Sequence, residues 1–235
     1  MAELNKEDIK FIEQNLPEPY NNTRRFHEAI NQRLTEHEDL CAVVIKEVKK
    51  ALETIQESVD QRRFFCRVDS SNQTKSPERI IQKMRTQKDE NGLPLHTWDS
   101  FSTTMKDLAR FRIVANFLGD VDKILEAIEK HKPFLPFFTI RKSKTIDAPL
   151  KGRRSGERSV KLVLEENQTK LSVEIQVMTI FQEAWDKKDH PLVYEKVRID
   201  EEVPSELKAL SLITSELLYA ADKYYEDFRK DEEKL

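Results

Sequence analysis

The chain has 235 residues, with 40 Lys+Arg against 43 Asp+Glu, a formal net charge of −3, and 38% hydrophobic against 35% charged residues. That length suits one large domain or two small ones, and 12 Phe plus aliphatic residues in periodic runs can enclose a core, which argues against disorder. No window approaches the roughly 20 apolar residues that span a bilayer. The start, MAELNKEDIK, lacks the apolar stretch of a secretory leader, so a soluble, cytoplasmic protein without a membrane partner is expected. Cys41 and Cys66 form no CxxC and have no His at ligand spacing, which excludes a four-ligand zinc site and a disulfide framework. They are expected to be buried and reduced. With only 4 Gly, the chain holds neither a GxGxxG nor a P-loop cradle, so any nucleotide must be held by side chains.

The first sixty residues read as helix: a short segment near Lys6 to Asn15, then a long one from about Asn22 to Asp60. In the second, Phe26, Ile30, Leu34, Leu40, Val44, Val48, Leu52 and Ile55 draw an apolar stripe. Arg63 to Asp69, with Phe64 and Phe65, suits a strand. Ser76-Pro77-Glu78 starts a helix that runs through Ile80, Ile81 and Met84, because Pro is favoured in a first turn and Ser just before it can cap. Lys88 to Leu95 (KDENGLPL) is a turn, and the stretch after it is ambiguous. Ala109 to Phe117 alternates, with Ala109, Phe111, Ile113, Ala115 and Phe117 on one face and Arg110, Arg112 and Val114 on the other. A helix over Gly119 to Lys130 is followed by strands over Phe137 to Ile146, Ser159 to Glu165 and Leu171 to Met178. Helices over Ile180 to Val197 and Ser205 to Lys230 close the chain. We read a single α+β domain: N-terminal helices over 1–62, a core of about five strands over 63–197 and a C-terminal helix over 198–235.

Three clusters carry chemistry. In Leu171 to Met178 the odd positions are apolar, so Glu174 and Gln176 share the opposite face, a carboxylate beside an amide. Asp107 precedes a strand whose polar face bears Arg110 and Arg112, a pattern able to hold Mg²⁺ on the acid and polyphosphate or an aromatic base on the guanidinium groups. Structural ion pairing explains the same pattern. Third, Arg141, Lys142, Lys144, Lys151, Arg153, Arg154, Arg158 and Lys161 stand against only Asp147 and Glu157, a local basic run suited to a nucleotide or an RNA backbone, or else a solvated loop.

In order along the chain, these clusters resemble the synthetase domain of the RelA/SpoT family, in particular its single-domain small alarmone synthetases. Asp-Leu-Ala-Arg-Phe-Arg-Ile (Asp107 to Ile113) stands for the family's D-L-A-G-x-R-I. Gly152-Arg-Arg-Ser155 stands for G-Y-x-S-x-H, and Val173-Glu-Ile-Gln-Val177 for the acidic strand. Thr179 to Tyr194, TIFQEAWDKKDHPLVY, is close to T-x5-W-x4-H-x3-Y and is the most specific part. The likeness covers about Arg67 to Tyr194 and implies a mainly antiparallel five-stranded sheet flanked by helices. No HD-type phosphohydrolase motif precedes it, so hydrolysis of the product is not expected.

The resemblance implies transfer of the β,γ-pyrophosphate of ATP to the 3′-hydroxyl of a purine nucleotide, giving a (p)ppGpp- or (p)ppApp-type alarmone and AMP, with Mg²⁺ as cofactor. Asp107 would ligate the metal, and Glu174 would assist it or take the hydroxyl proton. Arg67 and Arg112 would clamp adenine, while Lys75, Lys83 and Arg85 would meet the ATP phosphates. Arg153, Ser155, Glu157, Gln176 and Glu183 would line the acceptor site, where Arg153 replaces the usual Tyr, Glu157 the usual His and Glu183 a position often Asn; Met178 stands where a basic residue usually precedes the Thr. These departures open guanosine and adenosine acceptors alike. Two alternatives stay open: a toxic relative that pyrophosphorylates the tRNA 3′-CCA end, motivated by the basic run, and a catalytically degenerate nucleotide or RNA binder. Trp185, His190 and Tyr194 read as structural, their spacing placing them near one face of a helix. The apolar positions of the terminal helices suggest self-association, and the resemblance implies a homo-oligomer, a tetramer.

Overall fold

A computed structural model describes residues 4–58, 66–71, 73–144, 146, 156–194, 196 and 202–232. Its helices are α1 (Lys6–Asn15), α2 (Thr23–Ser58), α3 (Pro77–Thr86), α4 (Phe101–Thr104), α5 (Leu118–Glu129), α6 (Ile180–Asp189) and α7 (Ser205–Glu232), with a π-helical turn over His190–Tyr194. The strands are β1 (Cys66–Asp69), β2 (Ala109–Ala115), β3 (Phe138–Lys144), β4 (Val160–Glu166) and β5 (Ser172–Thr179). They form one sheet in the order β1-β2-β5-β4-β3. Every pairing is antiparallel except β2 with β5, so the sheet is mainly antiparallel, as expected, with one parallel pair at its centre.

Period-2 patterning decides the layering. Phe111 and Ile113 on β2, Leu162 and Leu164 on β4, and Val173, Ile175 and Val177 on β5 are all buried on one face, against α2 and α5. Each such side chain contributes roughly 1.5–3 kcal/mol by leaving water. The other face is therefore left to Arg110, Arg112, Glu174 and Gln176. The stripe on α2 serves two clusters in turn: Phe26, Ile30 and Leu34 pack with α1, α3 and α4, whereas Cys41, Val44, Val48 and Leu52 join the sheet core. Both cysteines are free and buried, and burial pushes each thiol up to about 11.

Local chemistry sets several boundaries. The Asn5 side chain accepts from the Asp8 backbone N–H at 2.8 Å and starts α1. In the Lys88 to Leu95 turn, Gly92 adopts φ +79° and the Asp89 carboxylate accepts from the backbone N–H groups of Asn91 and Leu93. The ambiguous stretch resolves into α4 and a buried His96, whose ring nitrogens contact Thr104 Oγ1 at 2.8 Å and Gln87 Oε1 at 2.9 Å. One expectation is corrected: the α-helix beginning at Ile180 ends at Asp189 rather than Val197 and widens into the π-helical turn. Pro191 lacks the N–H needed for the i→i−4 ladder, which favours that break.

Candidate active site

The parallel pairing of β2 and β5 assembles the polar face. Arg110 registers with Glu174 and Arg112 with Gln176, residues more than sixty positions apart. The Gln176 side-chain amide donates to Glu174 Oε1 at 2.9 Å, and Gln176 Oε1 accepts from Arg112 Nε at 3.2 Å. Arg112 also pairs with Asp186 on α6 at 2.7 Å. Glu174, Gln176, Arg112 and Asp186 thus form one chain of polar contacts, which fixes the direction of the Glu174 carboxylate along its own strand.

Asp107 sits two residues before β2 and draws two cations onto itself. The Lys75 backbone N–H donates to the Leu108 carbonyl at 2.9 Å, while its ammonium reaches Asp107 Oδ2 at 2.8 Å. Lys83, in the last turn of α3, donates to both Asp107 oxygens at 2.9 and 2.7 Å. Burial by itself would raise the Asp107 pKa, but the two ammonium groups overcome it and hold the carboxyl well below the usual range. Burial pulls Lys75 down to about 8 despite the opposing pull of Asp107.

At the other end of this face, Arg67 on β1 pairs with Glu183 on α6 and lies 3.8 Å from Asp69. Glu183 also accepts from Lys187 at 2.9 Å; burial opposes its ionisation, and Arg67 and Lys187 more than offset that, leaving its pKa lowered. The α6 side chains stand over the sheet because Thr179 closes β5 and caps α6, its hydroxyl accepting from the Gln182 N–H at 3.3 Å.

Of the residues expected at the site, Asp107, Lys75 and Lys83 converge at one end, and Glu174, Gln176, Arg112, Arg67 and Glu183 follow along the same face. Arg85 is placed elsewhere: its guanidinium binds Asp8 at 3.0 Å and Glu7 at 2.6 Å on α1. Sequence gave no hint of this, since the partners are over seventy positions away. Glu157 pairs with Lys161 at 2.6 Å. Arg153 and Ser155 lie outside the described residues. Asp186 was missed, although its i+3 spacing from Glu183 put both acids on one helix face.

The basic run also divides. Arg158 is 2% exposed: it donates to the Ile146 carbonyl at 3.1 Å, pairs with Glu216 on α7 and lies 4.2 Å from the Tyr219 ring. It belongs to the interior rather than to a surface patch. Arg141 and Lys142 are exposed on β3, whereas 147–155 lie outside the described residues. Trp185 is structural as expected, buried with its indole N–H donating to the Ser211 carbonyl at 2.9 Å. His190 opens the π-helical turn, and the Tyr194 side chain is outside the described set. Among the described residues, no group of three or more His, Cys, Asp or Glu side chains gathers to cage a metal ion.

Residues 72–198, more than half of the chain, match the region found in RelA/SpoT proteins. The chain belongs to the RelA/SpoT family. Its fold is similar to that of small alarmone synthetase 1 from Bacillus subtilis bound to its product pppGpp, with TM-score 0.67 and 21% identity over 88% of this chain and 100% of the other. The same enzyme bound to AMPCPP gives a TM-score of 0.59 at 18% identity over 87% and 99%. A GTP pyrophosphokinase family protein from Streptococcus pneumoniae gives 0.57 at 21% over 83% and 94%. No curated protein matches this chain by sequence. The matched RelA/SpoT region contains Asp107, Glu174 and every cation assembled around them except Arg67, which precedes it on β1.

Proposed function

We propose that this RelA/SpoT protein is an ATP-dependent 3′-pyrophosphokinase that converts a purine nucleotide into a (p)ppGpp- or (p)ppApp-type alarmone and releases AMP. The observation that carries the reading is a pair of polar groups, Asp107 with Lys75 and Lys83 and Glu174 with Gln176 and Arg112, whose two carboxylates both act on the charge of Arg110. Family membership supports it, as do the pppGpp and AMPCPP bound to the similar B. subtilis enzyme.

The reaction joins the acceptor O3′ to the β-phosphorus of ATP and breaks the bond from that phosphorus to the oxygen bridging it to the α-phosphorus; AMP leaves with that oxygen. Charge accumulates on phosphate oxygens, so a site of positioned cations is what the step needs. Lys75 and Lys83 are such cations, held near Asp107 until phosphate oxygens compete for them. Glu174, oriented by Gln176, takes the hydroxyl proton. Arg67 and Arg112 present guanidinium planes able to stack on adenine. The donor set also fits Mg²⁺: Asp107 and Glu174 offer oxygen ligands, and the ion is commonly held by one or two carboxylates together with substrate phosphates. When bound, it would neutralise phosphate charge beside these side chains.

Gln176 and Glu183 face the acceptor, with Glu157, Arg153 and Ser155 contributed by the preceding segment. A tRNA 3′ end draws less support than a free nucleotide, because Arg158 is committed to the interior. We propose a cytoplasmic homo-oligomer, a tetramer, in which the exposed Leu210, Ile213, Leu217, Tyr224 and Phe228 of α7 are covered; a monomeric mass by light scattering would end that part. No helix among the described residues is long and apolar enough to cross a membrane. The deciding experiment offers ATP with each mono-, di- and triphosphate of guanosine and adenosine, and with tRNA, and identifies products by mass. A 3′-diphosphate product with AMP is expected, abolished in Asp107→Ala and Glu174→Ala; folded variants with full AMP release would refute the assignment.

A further inference from the structure

Arg110 is the arginine of this face that the mechanism above leaves unused. It registers across the parallel pair with Glu174, and its backbone N–H donates to the Gln73 carbonyl at 2.8 Å, which fixes it beside the segment delivering Lys75. The residue is half-buried. Burial depresses its pKa first, then the like charge of Arg79, with Arg112 adding, while Asp107 and Glu174 act in the opposite sense. Its guanidinium is therefore within electrostatic reach of both carboxylates.

Yet that guanidinium makes no hydrogen bond or ion pair with any described residue. The neighbouring cations are all engaged: Lys75 and Lys83 on Asp107, Arg67 on Glu183, Arg112 on Gln176 and Asp186. Glu174, the natural cross-strand partner, is turned along β5 to Gln176 instead. A guanidinium carries five donors, and those of the half-buried Arg110 are not sealed from water. They are open to an acceptor-rich anion arriving on this face, and a planar fork is well suited to paired phosphate oxygens.

We propose that Arg110 is a further substrate-contacting residue, donating to oxygens of the β,γ-diphosphate of the donor nucleotide between Asp107 and Glu174. The proposal rests on the pyrophosphokinase reading and extends it. It assigns to β2 two arginines with separate tasks: Arg112 toward the base, Arg110 toward the phosphates.

The test is calorimetric binding of α,β-methylene-ATP and of AMP, each with Mg²⁺, to the full chain and to Arg110→Met, Arg110→Lys and Arg110→Gly. We expect Arg110→Met to weaken the triphosphate analogue roughly 10- to 100-fold, the scale of a lost charge-assisted contact, while leaving AMP binding unchanged. Arg110→Lys should recover part of the loss, since a point charge replaces the fork. Melting temperatures within about 2 °C of the parent would show that the fold is intact. Unchanged analogue binding by Arg110→Met, equal weakening for AMP, or tighter binding by Arg110→Gly would each overturn the role of Arg110 while leaving the pyrophosphokinase reading in place. Failure of the parent chain to bind the analogue would overturn both.

Discussion

Glu183 on α6 is ion-paired with Arg67 on β1, a residue 116 positions earlier in the chain. One was expected on the acceptor side and the other on adenine. Their pairing joins the two half-sites, and an incoming base must compete with Glu183 for the guanidinium. Replacing Glu183 by Gln removes the charge but keeps the shape. We expect the KM for ATP to fall about threefold, since one charge-assisted bond no longer has to be exchanged. Steady-state AMP release at varied ATP measures it, and an unchanged or raised KM would count against this coupling.

Lys75 predicts an alkaline limit. Its pKa stands at about 8 against an ordinary 10.5, so its charge is present below about pH 8 and fades above. The KM for ATP should rise as the pH passes 8, and Lys75→Arg should move that limb beyond the measurable range. The stability trend has the opposite sign. Between about 8 and 10.5 the unfolded chain binds the extra proton, so this group favours the folded state increasingly as pH rises. Kinetic profiles and thermal melts over pH 7–10 would separate the two.

Asp107 predicts a double loss. Asp107→Asn leaves the buried Lys75 ammonium and the half-buried Lys83 ammonium without their counter-charge, and removing the shared partner of such a partly solvated cluster costs about 2–4 kcal/mol. Turnover should fall by at least about 100-fold as well. Lys83→Met combined with Asp107→Asn should restore part of the stability and none of the activity. Chemical denaturation with AMP-release assays checks both, and full turnover by Asp107→Asn would exclude it from the chemistry.

Asp222 on α7 holds α6 in place, accepting from the Thr179 hydroxyl at 2.6 Å. Burial raises its pKa from 3.8 to about 6, against the lowering effect of Thr179. Between those values the folded state keeps a proton that the unfolded chain releases. Its contribution is therefore complete below about pH 4 and lost as the pH rises through about 6, an effect of about 3 kcal/mol. Asp222→Asn should flatten this part of the pH–stability curve and raise the melting temperature at pH 7.5. A slope over pH 4–6 that the substitution does not alter would contradict the assignment.

Arg158 separates interior from surface within the basic run. Arg158→Ala should cost about 2–4 kcal/mol, since a buried guanidinium leaves behind the Ile146 carbonyl, Glu216 and Tyr219. Arg141→Ala, at an exposed strand position, should stay within about 0.5 kcal/mol. Equal effects on folding would undo the distinction.

The site was partly legible because a strand's two faces are written in its sequence. Alternation in Ala109 to Phe117 and Leu171 to Met178 separated Arg110, Arg112, Glu174 and Gln176 from the core before any contact was known. It could not reveal that Arg85 turns to Glu7 and Asp8, or that Arg158 is interior, because both depend on helices docked from far along the chain. A basic residue looks the same in sequence whether it awaits a ligand or already holds a carboxylate.

Period-2 and helical patterning, proline placement and the order of the acidic and basic motifs determined the elements, the five-stranded α+β class and the family likeness, since each is a property of neighbouring residues. The tertiary structure alone decided which cations are occupied. Parallel pairing of β2 with β5 and the return of α6 over the sheet set Arg112 on Asp186 and Arg67 on Glu183, and left Arg110 without an acceptor among the described residues. Charge pairing falls off over a few ångströms, and only the folded chain fixes distances on that scale.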